Sequence, residues 1–561
     1  MIRAKGVTAC VLLCAATLGL ASSPADPPTF DPIAFELLGK SGIGFVTNSG
    51  RTAHRHQPEM MVAGVALFDF DNDGRLDVFL TNGAKMTVLD KTDPVFWNRL
   101  YRNLGDWRFE DVTEKAGVKG HGYDNGVATG DYDNDGWSDL FVAGLRENVL
   151  YRNRGDGSFE DVTAKAGLGN PDSDYGTLWA VAAAFLDYDK DGDLDLFVSN
   201  YCVWDPKTEP LCGPLGLPDY CHPRNYKGLP NSLFRNEGNG TFTDASRAAQ
   251  IRKVVGKGMG IGVADFDQDG FSDLFVANDT EPNYLFRNRG DGTFEEVGFM
   301  AGVAYPESGR PLSSMGADAR DIDDDGKPDV FHTALSNETM PVFQNQGRGS
   351  FVELTARAGV AALSLSRAGW GNGIVDFNND GRRDLFVAGG EVMAPNGEFK
   401  EKVRQTNLVL ANLGGFKFAD ATSRAGPDFS TKQAAHRGAA FGDLDGDGRV
   451  DAIVTALDEA VEVWRNVSPK ANRWLAVRAV GTRSNRDGIG AEITLTAPSG
   501  VRHDHVNTAV GYGSASDIRV HFGLGNDETV TRLEVRWPSG IVQVLEHLAV
   551  NQVLVVKEPE K

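Results

Sequence analysis

The chain has 561 residues, with 78 acidic against 56 basic side chains and a formal charge of −22. That balance argues against a nucleic-acid binder, whose electrostatic footprint is basic. The 66 glycines, well above the usual share of about 7 %, predict many turns and few long helices.

Residues 1–21 read as a secretory signal: Arg3 and Lys5, an apolar run from Val7 to Leu20, then small residues at Gly19, Ala21 and Ser22. The run is too short to span a bilayer, and no other segment of the sequence is long and apolar enough to do so. The expectation is an exported protein, secreted or periplasmic, with no transmembrane segment. Removing the signal leaves Cys202, Cys212 and Cys221. In an oxidising compartment Cys212 and Cys221 are the expected pair, while Cys202 follows a strand and reads as a buried thiol; spacing alone leaves the connectivity open.

Beyond the signal, His54-x-His56 with Glu59 precedes the first inner strand and offers a transition metal nitrogen and oxygen ligands, against the plainer reading of a surface loop. From Asp69 onward one acidic loop, Asp-x-Asp-x-Asp-Gly-x-x-Asp, recurs seven times. The copies are Asp69, Asp71, Asp73, Asp77; Asp131, Asp133, Asp135, Asp139; Asp187, Asp189, Asp191, Asp195; and Asp265, Asp267, Asp269, Asp273. Then come Asp321, Asp323, Asp325, Asp329; Asp376, Asn378, Asp380, Asp384; and Asp443, Asp445, Asp447, Asp451. Carboxylates this close repel unless a cation sits among them, and hard oxygen ligands at this spacing suit Ca²⁺, up to seven ions in all. An EF-hand would need Glu at position twelve and a helix after it. Here position twelve is Leu80, Val142, Val198, Val276, His332, Val387 or Val454, and exit segments such as Leu140-Phe141-Val142-Ala143 are strand-like.

A second phrase accompanies the loops. Leu100-Tyr101-Arg102-Asn103 leads through Gly105 to Phe109-Glu110-Asp111-Val112-Thr113, and Leu150–Gly167 repeats it closely. The Gly/Asp-rich link between its halves is hairpin chemistry. Each repeat then forms a small antiparallel sheet: inner strand, acidic loop, second strand, outer hairpin. Four strands per repeat at a period of about 60 residues mean radial blades. Small residues lie five positions before the first Asp of each loop: Gly64, Gly126, Ala182, Gly260, Gly316, Gly371 and Gly438. They fit inner strands crowding a central axis.

The fold class is therefore all-β: a seven-bladed propeller over residues 30–467, with an insertion at about 203–230 rich in Pro, Gly and Cys. The last repeat stops at Val463-Trp464-Arg465-Asn466 without its outer partner, and an orphan partner, Phe35 to Gly42, lies at the other end. The N-terminal segment is expected to complete the last blade and remove open sheet edges. Residues 472–561 carry new strand patterns and turns, and predict a separable sandwich-like β domain with Trp474, Phe522 and Trp537 as core candidates.

The Asp-rich loops with Asp-Val-Thr-x-x-Ala-Gly and Tyr-Arg-Asn-x-Gly-Asp-Gly phrases resemble FG-GAP/VCBS propeller repeats. The tail, with Asn472-Arg473-Trp474-Leu475, Ser484–Ala491, His521–Gly525 and Arg536-Trp537-Pro538-Ser539-Gly540, resembles the ASPIC/UnbV domain. Together they are similar to the exported cartilage-acidic-protein family. The resemblance implies a Ca²⁺-stabilised propeller of the kind also found in integrin α-subunit heads, serving as an extracellular recognition scaffold. Asn378 departs from the loop pattern and is expected to weaken its site.

Residues just before the inner strands should ring one face of the channel: Glu59, Asp124, Trp179, Trp370, His436 and Arg437, with Asn125 and Lys257 beside them. Converging aromatic, acidic and basic groups there offer a glycan or small polar ligand a site, against ordinary blade-edge residues. Arg154-Gly155-Asp156 and Arg289-Gly290-Asp291 fall where the hairpin turn itself demands Gly and Asp, and read as coincidence rather than an adhesion signal; His503-x-His505 carries less still. No nucleophile motif, phosphate loop or cofactor fingerprint appears in the sequence. The reading is a monomeric, non-enzymatic adhesion or recognition protein for an extracellular glycan or surface protein. The alternative is an enzyme, a polysaccharide lyase or a modifying enzyme, with its site on the channel face.

Overall fold

A computed structural model describes residues 30–169, 172–392 and 403–560; the signal-like segment 1–21 lies outside them. Seven sheets form from the seven repeats, one per acidic loop, each built on four antiparallel strands, and the first is extended to six strands by a hairpin of the tail. Blade one comprises Val65–Phe68, Asp77–Leu80, Arg99–Asn103 and Phe109–Asp111. Blade two comprises Tyr123–Gly130, Asp139–Leu145, Val149–Asn153 and Phe159–Asp161, and blades three to six repeat the order. The inner strands touch one another in cyclic order, and the ring closes where His436–Gly442 of blade seven meets Val65–Phe68 of blade one.

The glycines singled out in the sequence explain the crowding. A Cβ on Gly126 would lie 2.2 Å from the Val181 carbonyl oxygen, one on Gly316 2.1 Å from that of Trp370, and one on Gly438 2.2 Å from that of Ala63. Each of these acceptors belongs to the next blade, so only a bare Cα lets neighbouring backbones approach this closely.

Blade seven is completed from the other end of the chain, as expected. Phe35, Glu36 and Leu37 pair with Asn466, Arg465 and Trp464. Phe35 is buried against Phe377 and Phe429, with ring centroids 5.2 and 5.0 Å away. The Ala34 amide donates to Ser468 Oγ at 3.0 Å, sealing the junction.

The tail is a two-sheet β domain. Val520–Gly525, Arg473–Val480 and Gln552–Lys557 form one sheet; Gly500–His505, Glu492–Ala497, Thr529–Arg536 and Val542–Ala549 form the other. Phe522 and Trp537 are in its core with Leu475, Val477, Ile493 and Leu533. Trp474 is not: it is only half-buried, stacked on His521 and packed over Gly448 of the seventh loop, because its place on the strand faces the propeller.

One element departs from the expected organisation. The tail sends a hairpin, Ala509–Val510 and Ser514–Ala515, down the axis of the ring, where Ala515 pairs in parallel with Ala66 of blade one. Gly511 bridges to Ala317 of blade five, and the Val127 amide of blade two donates to the Gly513 carbonyl. At the tip Tyr512 is fully buried, its hydroxyl donating to the Met61 carbonyl at 2.6 Å and its ring set edge-on to Trp370 at 4.9 Å. The tail domain is thus tied into the propeller through its axis and shares a hydrophobic cluster with Phe141, Phe185 and Leu196 of blades two and three.

Candidate metal centres and their surroundings

The acidic loops share one geometry. In each, the sixth residue is glycine in a left-handed conformation, from Gly74 (φ 88°) to Gly448 (φ 85°). The fourth residue is left-handed as well: Asn72, Asn134, Lys190, Gln268, Asp324 and Asn379, with glycine only at Gly446. A side chain at positive φ is uncommon, and asparagine tolerates it best. The first Asp caps the turn it opens: Asp69 accepts from the Asp73 amide at 3.0 Å and the Gly74 amide at 2.8 Å, and the other six copies do the same.

The ninth-position Asp is the buried anchor. Asp77 accepts from the amides of Phe70 (3.1 Å) and Asn103 (2.7 Å), and Asp139 from those of Tyr132 (3.1 Å) and Asn153 (2.7 Å). The asparagine ending each third strand then reaches the neighbouring blade. Asn153 Nδ2 donates to the Phe70 carbonyl, Asn466 to that of Phe377, and Asn103, across the closure of the ring, to that of Leu444. Loops of adjacent blades are therefore linked, a role the sequence reading missed. The signal was available: asparagine stands at that place in all seven copies.

The third-position carboxylate carries the chemistry. Asp71, Asp133, Asp189, Asp267 and Asp323 each have one oxygen, Oδ1, shut away from solvent with no hydrogen-bond partner. In three of them the other oxygen meets a side chain of the third strand: Arg102 for Asp71 at 2.6 Å, Arg152 for Asp133, and Gln344 for Asp323 at 2.8 Å. Ligand-competent oxygens of Asp69, Asp71 and Asp77 lie within 4.8 Å of one another, as do those of Asp131, Asp133 and Asp139, of Asp187, Asp189 and Asp195, and of Asp265, Asp267 and Asp269. The fifth-position Asp73 instead pairs with Arg75 and Arg102.

Loops six and seven differ. Asn378 accepts from the Asp380 amide at 3.0 Å and donates to the Asp31 carbonyl at 2.9 Å. Asp445 Oδ1, unlike its counterparts in the first five loops, accepts from the Asp447 amide at 3.3 Å, while Oδ2 is taken by Trp107 Nε1 at 3.0 Å and Arg465 at 3.2 Å.

Burial disfavours charge on the first and ninth residues of these loops. It pushes Asp131, Asp187, Asp265 and Asp321 up to about 7, Asp376 to about 8 and Asp195 to about 9, and carboxylates close to each of them push the same way. A divalent cation among them would reverse that balance.

The tail domain sits on this loop face. Asp487 accepts from the Asp131 amide at 2.7 Å, and the Arg486 amide donates to Asn134 Oδ1 at 2.7 Å. Nearby, Arg320 and Arg383 reach Asp504 at 2.8 and 3.1 Å and, against the cost of burial, hold it down at about 2.

The opposite face is covered. The insertion contributes Trp204, Tyr220 and Tyr226 to a cluster with Met60, Met61, Trp179, Trp370 and Tyr512. Glu59, Asp124, Trp179, Trp370, His436 and Arg437, offered above to a ligand, are all 0–1 % exposed. Most are bonded inward. Glu59 accepts from the Thr52 amide and hydroxyl, Asp124 pairs with Lys91 at 2.9 Å, and His436 meets Glu462 at 3.0 Å. Arg437 donates to the Met60 carbonyl and lies 4.0 Å over the Trp370 ring. They are packing and hydrogen-bonding residues here, because the insertion and Tyr512 fill the space a ligand would need.

Cys212 and Cys221 form a disulfide within that insertion, and Cys202 is a buried thiol. The two Arg-Gly-Asp turns are internally engaged: Arg154 pairs with Glu160 and Asp156 accepts from Ser158, while Arg289 pairs with Glu295 and Asp291 accepts from Thr293. His503 and His505 do not converge, since His505 Nε2 is held at the Val263 carbonyl.

Comparison with known proteins accords with this geometry. The FG-GAP-like repeat family matches residues 69–142, 131–198, 219–276, 265–332, 321–387 and 376–454, and the ASPIC and UnbV family matches 481–561. The chain belongs to the FG-GAP-like repeat family, with an ASPIC and UnbV domain at its C-terminal end. Among relatives of this FG-GAP protein, cartilage acidic protein 1 of Mus musculus is 24 % identical over 518 residues, covering 90 % of this chain and 75 % of its own. The Homo sapiens protein of that name is 24 % identical over 496 residues, covering 86 % and 70 %. Among solved structures, an Agrocybe aegerita lectin described as recognising non-reducing terminal N-acetylglucosamine aligns at TM-score 0.39 and 17 % identity, over 77 % of this chain and 96 % of its own. No helix among the described residues is long and apolar enough to cross a membrane.

Proposed function

We propose that this is an exported, Ca²⁺-dependent, non-enzymatic recognition scaffold, in which ions at the acidic loops lock the ring and seat the tail domain. The observation that carries the reading is the orphaned, buried carboxylate oxygen at the same loop position in five blades. A buried acceptor without a partner costs about 1–3 kcal/mol, more when charged, and a hard cation satisfies it. Asp69, Asp71 and Asp77 and their counterparts would hold the ion, with Asn72-type turns fixing the loop. Loops six and seven, where protein groups already occupy the third-position side chain, would fill last.

The repeated residues serve ion, turn or packing, which favours a scaffold presenting a surface to a glycan or a surface protein. Catalysis on the channel face would need Glu59, His436 and Arg437 to reach a substrate, and all three are buried. Calorimetric titration of chelator-treated protein with Ca²⁺ tests the ion reading: about five tighter and two weaker equivalents are expected, and fewer than three in total overturns it. Glycan-array and cell-surface binding in Ca²⁺ against chelator tests the recognition reading, which requires binding that chelator abolishes.

A further inference from the structure

The residue pair His54 and His56 has a third partner that the sequence did not reveal. Glu59 turns away to Thr52, and Glu209 of the insertion takes its place beside the histidines. We propose that His54, His56 and Glu209 form a transition-metal site, best suited to Zn²⁺, that clamps the insertion over the covered face of the propeller.

Three features converge. A left-handed turn at Arg55 (φ 65°) brings the two imidazoles into a stack with ring centroids 4.4 Å apart. His56 Nδ1 and Glu209 Oε2 are in direct contact, with side-chain exposures of 6 % and 1 %, and one ligand atom from each of the three residues lies within 4.8 Å of the others. His54 Nε2 is shielded from solvent and has no hydrogen-bond partner. A buried imidazole nitrogen left unpaired is a cost that a metal bond removes.

The surroundings orient the carboxylate as they do around metal ligands. Glu209 Oε1 accepts from the Gln57 amide at 2.8 Å and from the Tyr226 hydroxyl at 2.7 Å, which leaves Oε2 to the histidines. The His56 ring is held edge-on to Trp204 at 5.8 Å. Two nitrogens and one carboxylate oxygen are a zinc ligand set that leaves a fourth position for water. An ion entering here replaces the direct contact between Nδ1 and Oε2 and spreads those atoms to about 3.3 Å, the edge of a tetrahedron with bonds of about 2.0–2.1 Å. The oxygen-only aspartate loops prefer harder ions, so the two kinds of site separate by metal.

The test titrates full-length protein with Zn²⁺, and separately with Co²⁺, in excess Ca²⁺ so that the acidic loops are satisfied. The expected result is one equivalent of Zn²⁺ retained through gel filtration, a visible Co²⁺ spectrum of low coordination number, and a rise in melting temperature. Glu209→Gln keeps an acceptor for Gln57 and Tyr226, and His54→Ala removes a side chain that makes no hydrogen bond. Each should weaken Zn²⁺ binding at least tenfold and abolish the thermal shift. His54→Ala decides the matter alone if Glu209→Gln fails to fold. No retained equivalent in the wild type, or binding unchanged by the substitutions, overturns the proposal and leaves a hydrogen-bonded His–Glu pair.

Discussion

Removing the Tyr512 side chain should unseat the axial hairpin without touching any acidic loop. The ring is fully buried, and an aromatic side chain of this size buries about 150–250 Å², worth roughly 4–6 kcal/mol at about 25 cal/mol per Å². Its edge-on contact with Trp370 adds about 0.5–1.5 kcal/mol. Relaxation of the hole recovers part of this, so Tyr512→Ala should cost about 3–5 kcal/mol. Tyr512→Phe keeps the packing and loses only the bond to the Met61 carbonyl, about 1 kcal/mol. Hydrogen exchange followed by mass spectrometry on peptides spanning 505–518 reads these numbers locally. At about 1.4 kcal/mol per decade, the alanine variant should exchange there at least a hundredfold faster and the phenylalanine variant about fivefold faster. Exchange in the alanine variant within threefold of wild type would show that the hairpin is a passenger in the channel.

Three further outcomes follow from the same geometry. The buried loop carboxyls have folded-state values raised above those of an unfolded chain, so their stabilising contribution is complete below pH ~4 and is lost as pH rises through about 6–9; melts in chelator should fall from pH 5 to pH 8, and the increment from added Ca²⁺ should grow over the same interval. Gly438→Ala puts a methyl 2.2 Å from the Ala63 carbonyl oxygen, at the seam between blades seven and one; a loss of about 1–3 kcal/mol, read by urea denaturation, is expected, with little change for Gly39→Ala, an exposed glycine with open space around it. Asn378→Asp adds a ligand charge but breaks the donation to the Asp31 carbonyl, so calorimetry should show tighter binding at loop six while the metal-free protein melts lower.

Much of this architecture is written in the sequence because it repeats. The loops, the inner-strand glycines and the outer hairpins recur about every 60 residues, and a physical requirement met seven times leaves a pattern. The unpaired Phe35–Gly42 phrase could be matched to Asn466 for the same reason: a repeat lacking its last strand calls for one. What the sequence hid occurs once. The axial hairpin has two residues per strand, too short for any alternation, and its only mark is Gly511-Tyr512-Gly513, where both glycines adopt positive φ and press on inner strands. The insertion likewise has no period, so nothing in its spacing showed that Trp204, Tyr220 and Tyr226 cover the channel face or that Glu209 reaches His56. The cover over the channel residues was not legible.

The closure of blade seven also bears on how the chain is made. Ala34 and Ser468 meet across 434 residues of sequence, and the axial hairpin arrives later still. During synthesis, therefore, six sheets can form from local contacts while the seventh has only three of its strands, leaving the edge of Glu462–Asn466 unpaired until Phe35–Leu37 arrives. Contacts of such long sequence separation are slow to form, although the entropy of closing the loop grows only logarithmically with its length. The final step is then a single late docking of both chain ends. Until it happens the open edge is a site for pairing with other chains, so a nascent or truncated chain lacking either end is a better candidate for aggregation than for partial function.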